Sequence, residues 1–281
     1  RLGTSKNNQQ NIYNEWLGLN CSACHTAEIK YGEHRLRING GPALSDMPAL
    51  LGNMQKAIDA TINDNAKLVR FSRKVLSEEG FNDTEKEELK AQLKSFSGWL
   101  NSYTSINYGG LSTPYGYGRL DAFGAILNRV SASLLEIKAN GTPANAPVSY
   151  PFLWNTSQLD WVQWNGSANN HIGRNVGEVT GVFAHTILKT DNEKNRFYSS
   201  AKIINLDQLE QLMAQLDSPK WGTPLPAIDQ KKAMAGAVLY TNNCVSCHGI
   251  RDKDGQFPMT AKNALGKQFI QTHMVGLKEI G

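Results

Sequence analysis

The four cysteines of the chain fall into two Cys-x-x-Cys-His units, Cys21-Ser22-Ala23-Cys24-His25 and Cys244-Val245-Ser246-Cys247-His248, and none is left over. This spacing attaches a c-type haem. Two thiols three residues apart each bond one vinyl-derived arm of a porphyrin, and the histidine that follows lies under the iron as its proximal ligand. The residues therefore predict two covalent haem c groups. Cys21, Cys24, Cys244 and Cys247 are the attachment points, and His25 and His248 are the iron ligands.

Other uses of the cysteines fit less well. A zinc site would bring the two pairs together across most of the chain and leave both histidines unexplained. A disulfide within either pair closes a two-residue loop and removes little unfolded-state entropy. Thioredoxin-like chemistry uses Cys-x-x-Cys but has no need of a histidine after each pair.

Each motif needs an element to deliver it. Gln10 to Leu19 places Ile12, Trp16 and Leu19 near one helical face ahead of Cys21. Ahead of Cys244, Asp229 can cap a helix whose Met234, Val238 and Leu239 share an apolar side. Thr84 and Glu87 form a capping box, followed by Leu89, Leu93, Phe96 and Leu100 at helical spacing. Further helices are predicted over Leu50 to Val69, where Asn63, Asp64 and Asn65 weaken the pattern, over Asp121 to Val130, and over Asp207 to Leu216 with Leu209, Leu212, Met213 and Leu216 on its apolar side. Helical regularity stops at Asn140, and Pro143, Pro147 and Pro151 mark a linker or an extended crossing.

The fold class that follows is mostly α, with two c-type cytochrome haem domains joined by an irregular, loop-rich region. The expected division is a first haem domain over 1–138, a linker and Trp-rich connecting region over 139–226, and a C-terminal haem domain over 227–281. This last domain is expected to be incomplete, because a haem needs walls on both faces and little chain follows His248.

The second axial position decides how each iron works, since an open one admits oxygen or peroxide and a filled one favours electron transfer. His34, His171, His185 and His273 and the methionines are the available donors. His34, close to Arg35 and Arg37, suits a haem edge with an arginine paired to a propionate. The tract Trp154 to Gly166 holds three of the six tryptophans, among them Trp164. These rings either cover a porphyrin face or help electrons pass between haems. Next comes His171 to His185, where Arg174, Glu178 and Phe183 supply a cation, a proton acceptor and an apolar wall among closely spaced glycines. That set suits a distal pocket and equally suits a salt-bridged scaffold.

Apolar residues make up 40% and charged residues 19%, the balance of a folded chain long enough for two domains. A net charge of +4 calls for neither nucleic acid nor an anionic membrane. The opening Arg1-Leu2-Gly3 has no initiator methionine and no apolar leader core, which suggests a processed chain. Because this kind of haem attachment takes place outside the bacterial cytoplasm, a periplasmic or extracellular location is expected.

The chain resembles the bacterial di-haem cytochrome c peroxidase superfamily, and within it the rubber-oxygenase-like branch. The likeness rests on both haem motifs, Gly40-Gly41-Pro42-Ala43-Leu44, Gly116-Tyr117-Gly118-Arg119-Leu120-Asp121-Ala122-Phe123-Gly124, and the Trp154 to Phe183 tract. It implies a helical fold in which the His25 haem is reactive and the His248 haem transfers electrons. Peroxidase relatives reduce hydrogen peroxide with electrons from small redox proteins, and often hold calcium between domains. Rubber-oxygenase relatives insert dioxygen into a polyisoprene double bond. The resemblance puts Phe183 near the oxygen-binding face, and Glu178 is the acid-base candidate if peroxide is the substrate. Such proteins continue well past their C-terminal motif, so a second polypeptide completing the C-terminal haem site, or a fragment, is expected here. The competing expectation is a non-enzymatic di-haem electron carrier or a subunit of a larger redox complex.

Overall fold

The computed structural model of the chain describes residues 18–158, 163 and 168–245. Its elements run α1 (Ser22–His25), β1 (Thr26–Tyr31), β2 (His34–Asn39), α2 (Met47–Asn63), α3 (Asn65–Gly80), α4 (Asp83–Tyr108), α5 (Ala122–Asn128), a π-helical turn over Arg129–Leu134, α6 (His171–Gly181), α7 (Ile203–Met213) and α8 (Gln230–Asn243). The described chain is mostly helical, as expected. No helix among the described residues is long and apolar enough to cross a membrane. The helix predicted over Gln10 to Leu19 lies almost wholly outside the described residues.

Two compact units form, each from three segments: Arg1–Leu19, Asp46–Val148 and Gly181–Ser200 in one, and Asn20–Ser45, Ser149–Thr180 and Ala201–Gly281 in the other.

The first unit is a helical core. Asp46 caps α2 by accepting from Ala49 N at 3.0 Å, with Pro48 in the opening turn where a missing N–H does no harm. The single helix predicted over Leu50 to Val69 is two, because Asp64 ends α2 in extended conformation and caps α3, accepting from Ala66 N and Lys67 N. A local side-chain acceptor outcompetes continuation of the helix there. The α4 cap is Asn82, accepting from Glu85 N at 2.9 Å, and the Thr84 capping box does not form, since Thr84 already lies inside the helix. Leu89, Leu93 and Leu100 are buried as their spacing predicts. Leu51, Leu100 and Tyr103 form the centre, with Met47, Ile58, Phe96, Trp99, Tyr108 and Phe183 around it. Each fully buried leucine contributes about 1.5–3 kcal/mol.

Asp121 caps α5 through Gly124 N at 2.9 Å, which starts that helix where its sequence signal lies. The proline-marked stretch after Asn140 runs largely without regular structure and is anchored. Buried Asn128 bonds Thr142 on both its N–H and carbonyl sides, Ala144 N donates to Asn107 O at 3.0 Å, and Ala146 N donates to Asp121 Oδ2 at 3.0 Å.

The other unit begins with α1 and the antiparallel hairpin of β1 and β2, whose register pairs Tyr31 with His34 across Gly32 and Glu33. Gly32 takes φ +57°, a conformation glycine reaches without steric cost. Asp229 caps α8 by accepting from Lys232 N, as expected. Met213 on α7 and Leu216 just beyond it are half-buried. Leu209 and Leu212 are exposed, and so are Met234, Val238 and Leu239. Helical spacing shows which residues share a side and carries no information on what covers it.

Candidate functional site

The first motif is a tight turn closed by its own backbone. Asn20 starts it, its Oδ1 accepting from Ser22 N at 3.1 Å, and His25 N donates back to Cys21 O at 3.0 Å. One helical turn puts Cys21, Cys24 and His25 within reach of a single planar group. Both thiols are free, Cys21 exposed and Cys24 half-buried.

Two distant segments hold this turn. Ala43 N donates to Cys24 O at 2.9 Å and Ser45 Oγ donates to Ala23 O at 3.3 Å, so the strand exit folds back beneath the motif. The other segment is 150–154. His25 Nδ1 donates to Pro151 O at 2.8 Å, Tyr150 Oη donates to Ser45 O at 3.4 Å, Leu153 N donates to Gly40 O at 2.9 Å, and Trp154 Nε1 donates to Asn39 O at 2.9 Å. Trp154 stacks on Phe152 with centroids 5.2 Å apart.

The Gly40-Gly41 pair is what lets these segments meet. Gly40 has φ +76°, and a Cβ there would stand 2.6 Å from Leu216 Cδ2 and 2.8 Å from Trp154 Nε1. At Gly41 it would stand 2.6 Å from Ile38 Cγ2. All three contacts are closer than a Cβ tolerates.

The imidazole bond determines what the site can do. With Nδ1–H committed to a backbone carbonyl, Nε2 carries the lone pair, the arrangement that orients a histidine ligand and raises its basicity. Burial, with the Arg174 charge adding to it and the Pro151 bond opposing it, lowers the His25 pKa, which favours the neutral ring a metal needs. Burial pushes the Cys24 thiol up against a Tyr150 hydrogen bond, and burial followed by the Glu178 and Glu210 charges pushes up Cys21. Two free thiols and one oriented, neutral imidazole on a single turn fit covalent haem.

Helix α6 contributes a buried polar group. Arg174, Asn175 and Glu210 are among the most buried polar side chains, with exposures of 7%, 9% and 4%. Arg174 Nη2 donates to Glu210 Oε1, Asn175 Nδ2 donates to the same oxygen at 2.8 Å, and Arg174 Nε donates to Asn175 Oδ1 at 3.2 Å. Glu178 Oε1 lies 4.0 Å from Arg174 Nε and accepts from Gln163 Nε2 at 3.2 Å. Burial pushes the Glu178 carboxyl up, opposed by Arg174 and Gln163, and the 48% of its side chain left open lets water temper that push.

Of the residues singled out in the sequence, Arg174 and Glu178 therefore stand on one helix in the same unit as the first motif. Phe183 lies in the helical core of the other unit, its ring 5.0 Å from both Trp99 and Tyr103, at φ +83°. Trp164, Cys247 and His248 lie outside the described residues, while Cys244 is half-buried and its N donates to Tyr240 O at 2.8 Å. His34, His171 and His185 are exposed, and Arg35 pairs with Glu28 at 3.0 Å. Among the described residues no group of three or more His, Cys, Asp or Glu side chains forms a metal cluster. Sequence reasoning missed Pro151 and Glu210. Glu210 left no distinguishing trace, since α7 also carries Asn205, Asp207, Gln208 and Gln211.

Comparisons with known proteins agree with the redox reading over part of the chain. Residues 233–275 match the cytochrome c family, so a cytochrome c-type domain is present around the C-terminal motif. The chain is similar to the uncharacterized protein y4iJ of Sinorhizobium fredii (strain NBRC 101917 / NGR234), with 31% identity over 283 residues that cover 94% of this chain and 47% of that protein. The chain thus spans about half the length of the curated relative it matches. No solved structure matches.

Proposed function

We propose that the chain is a di-haem c-type redox enzyme, the haem at Cys21, Cys24 and His25 being the substrate-reactive centre and the haem at Cys244, Cys247 and His248 passing electrons to it. The cytochrome c-type domain around the C-terminal motif indicates a redox, electron-transferring role. The observation that carries the first site is the 2.8 Å bond from His25 Nδ1 to Pro151 O beside two free thiols. It is the outer contact an iron-bound histidine uses.

When bound, haem would supply an iron that changes oxidation state and can react with peroxide or dioxygen. The chain's own residues do the rest. His25 Nε2 would hold the iron, and Pro151 O keeps the ring from turning. Tyr150, Phe152 and Trp154 wall off water beside the motif. Arg174 offers a fixed cation for an anionic or polar oxygen group, and Glu178, with its carboxyl pushed up, can hold and return a proton when peroxide is the substrate. Trp164 enters this reading from the tryptophan-rich tract, as an aid to electron passage, and Phe183 through the family resemblance, which puts it near the oxygen-binding face.

The proposed setting is periplasmic or extracellular, with a small redox protein as partner. Spectra of the oxidised and reduced protein with carbon monoxide provide the test. A high-spin fraction and a carbon monoxide adduct support the enzyme, and turnover of peroxide with a reduced donor, or of polyisoprene with dioxygen, then selects the reaction. Two low-spin, unreactive haems would instead make the chain an electron carrier.

A further inference from the structure

The hairpin of β1 and β2 grows out of the first motif. Thr26 follows His25 and pairs with Asn39, and Ala43 N donates back to Cys24 O at 2.9 Å, so the base of the ladder is tied to the Cys21–His25 turn. Cross-strand partners point to the same side of a pleated ladder. The pairs Glu28–Arg37 and Lys30–Arg35 therefore share one face, and Ile29–Leu36 and Tyr31–His34 share the other.

The charged face sets the cations Lys30, Arg35 and Arg37 against the single acid Glu28, and all four residues are exposed. Lys30 stands directly opposite Arg35, and like charges so placed destabilise a ladder. Glu28 pairs with Arg35 at 3.0 Å, and among the described residues no carboxylate pairs with Lys30 or Arg37. Glu33 lies in the turn, beyond the last pair of the ladder. The opposite face also stays open toward the turn, where Ile29 and Tyr31 keep 51% and 46% of their surface. A two-stranded hairpin is marginal by itself, and the repulsion between Lys30 and Arg35 adds to that weakness. An anionic surface laid on this face would relieve it.

The chain does not offer that surface from its own long segments outside the described residues. Residues 1–17 set Arg1 and Lys6 against Glu15, and residues 246–281 set Arg251, Lys253, Lys262, Lys267 and Lys278 against Asp252, Asp254 and Glu279, so both are net basic. A second copy placed face to face would bring the same cations to the contact. The complement of this face is an acidic protein.

We propose that Lys30, Arg35 and Arg37 form the docking surface for an acidic redox protein that delivers electrons to the haem on His25. This rests on the reading of Cys21 to His25 as a haem site, and the route joins the path through the second haem. In each transfer the partner loses one electron and the His25 haem iron passes from ferric to ferrous. Arg37 pairs with Glu28, three residues after His25, which sets the nearest cation roughly 10 Å along the strand from the histidine. Electron-transfer encounters use small interfaces that charge steers, and a face of four exposed side chains suits such a contact.

The probe is reduced flavodoxin, a small acidic electron carrier, with reduced riboflavin, which has no acidic protein face, as the control reductant. Stopped-flow absorbance follows the His25 haem in a full chain carrying Cys244→Ala/Cys247→Ala. Lys30→Glu/Arg37→Glu is expected to slow reduction by flavodoxin roughly tenfold to a hundredfold at low ionic strength, with the difference fading as salt rises, and to leave reduction by riboflavin unchanged. Carbodiimide coupling of the unsubstituted chain is expected to join Lys30 to a flavodoxin carboxylate, mapped by peptide mass.

Equal rates for the substituted and unsubstituted chains with flavodoxin at low salt would overturn the proposal. Equal slowing with both reductants would overturn it too, because the cations would then act on the haem itself. So would coupling of Lys30 only to a carboxylate of this chain. If the charge-reversed chain does not fold, Lys30→Gln/Arg37→Gln decides, and it must show a smaller slowing confined to flavodoxin. Absence of covalent haem at Cys21 and Cys24 sinks the haem reading and the electron delivery with it. Loaded haem whose reduction ignores these cations sinks only the docking surface.

Discussion

His25 Nδ1 donates to the carbonyl of Pro151 at 2.8 Å, across 126 residues of sequence. The acceptor is a backbone oxygen, so it survives most substitutions at that position, and proline has no N–H with which to rearrange the segment. Ring orientation at the first motif is therefore built from main chain on one side and the Cys21–His25 turn on the other.

Replacing both Cys21 and Cys24 with alanine is expected to remove one haem from the denatured chain and leave the other. Intact mass and absorbance after acid denaturation read this directly. Loss of both haems, or of neither, would contradict independent attachment at the two motifs.

Gly40→Ala combines a left-handed backbone with a Cβ 2.6 Å from Leu216 Cδ2. The expected cost is about 1–3 kcal/mol in denaturant unfolding. Gly98→Ala lies inside α4 with nothing within 4 Å of the new atom. It is expected to stabilise by about 0.5–1 kcal/mol, and the opposite signs of the two glycine substitutions make the comparison decisive.

Glu210→Ala leaves the Arg174 guanidinium, 7% exposed, without its carboxylate. Breaking a buried pair from one side costs about 3–5 kcal/mol. Replacing both Arg174 and Glu210 with methionine is expected to cost much less, and a double-mutant cycle on unfolding midpoints measures the difference.

The Glu178 carboxyl is pushed up by burial. An acid with a raised folded-state value binds its proton more tightly when folded, so its contribution to stability is largest at low pH. That contribution declines as pH rises from the ordinary glutamate value through the raised one. Glu178→Gln is expected to flatten this part of the stability profile, and parallel curves for the two proteins would refute the shift.

Neighbouring residues suffice to show the two Cys-x-x-Cys-His spacings and the helix starts that a single side chain can cap. Cys21 to His25 act through neighbours in one turn, and Asp121 and Asp229 cap helices by bonding N–H groups three residues on. Leu89, Leu93 and Leu100 are legible for the same reason, because helical geometry converts short spacing into a shared face. Even local competition is partly visible, since the weak point at Asn63-Asp64-Asn65 is where α2 gives way to α3. Long-range folding was needed to bring Pro151 to His25, to set Gly40 against Trp154, and to bury Glu210 while Leu209 and Leu212 stayed out. Those outcomes depend on where the chain returns after long excursions. A carboxylate is buried or exposed according to the partner it finds, and spacing along the sequence does not contain that partner.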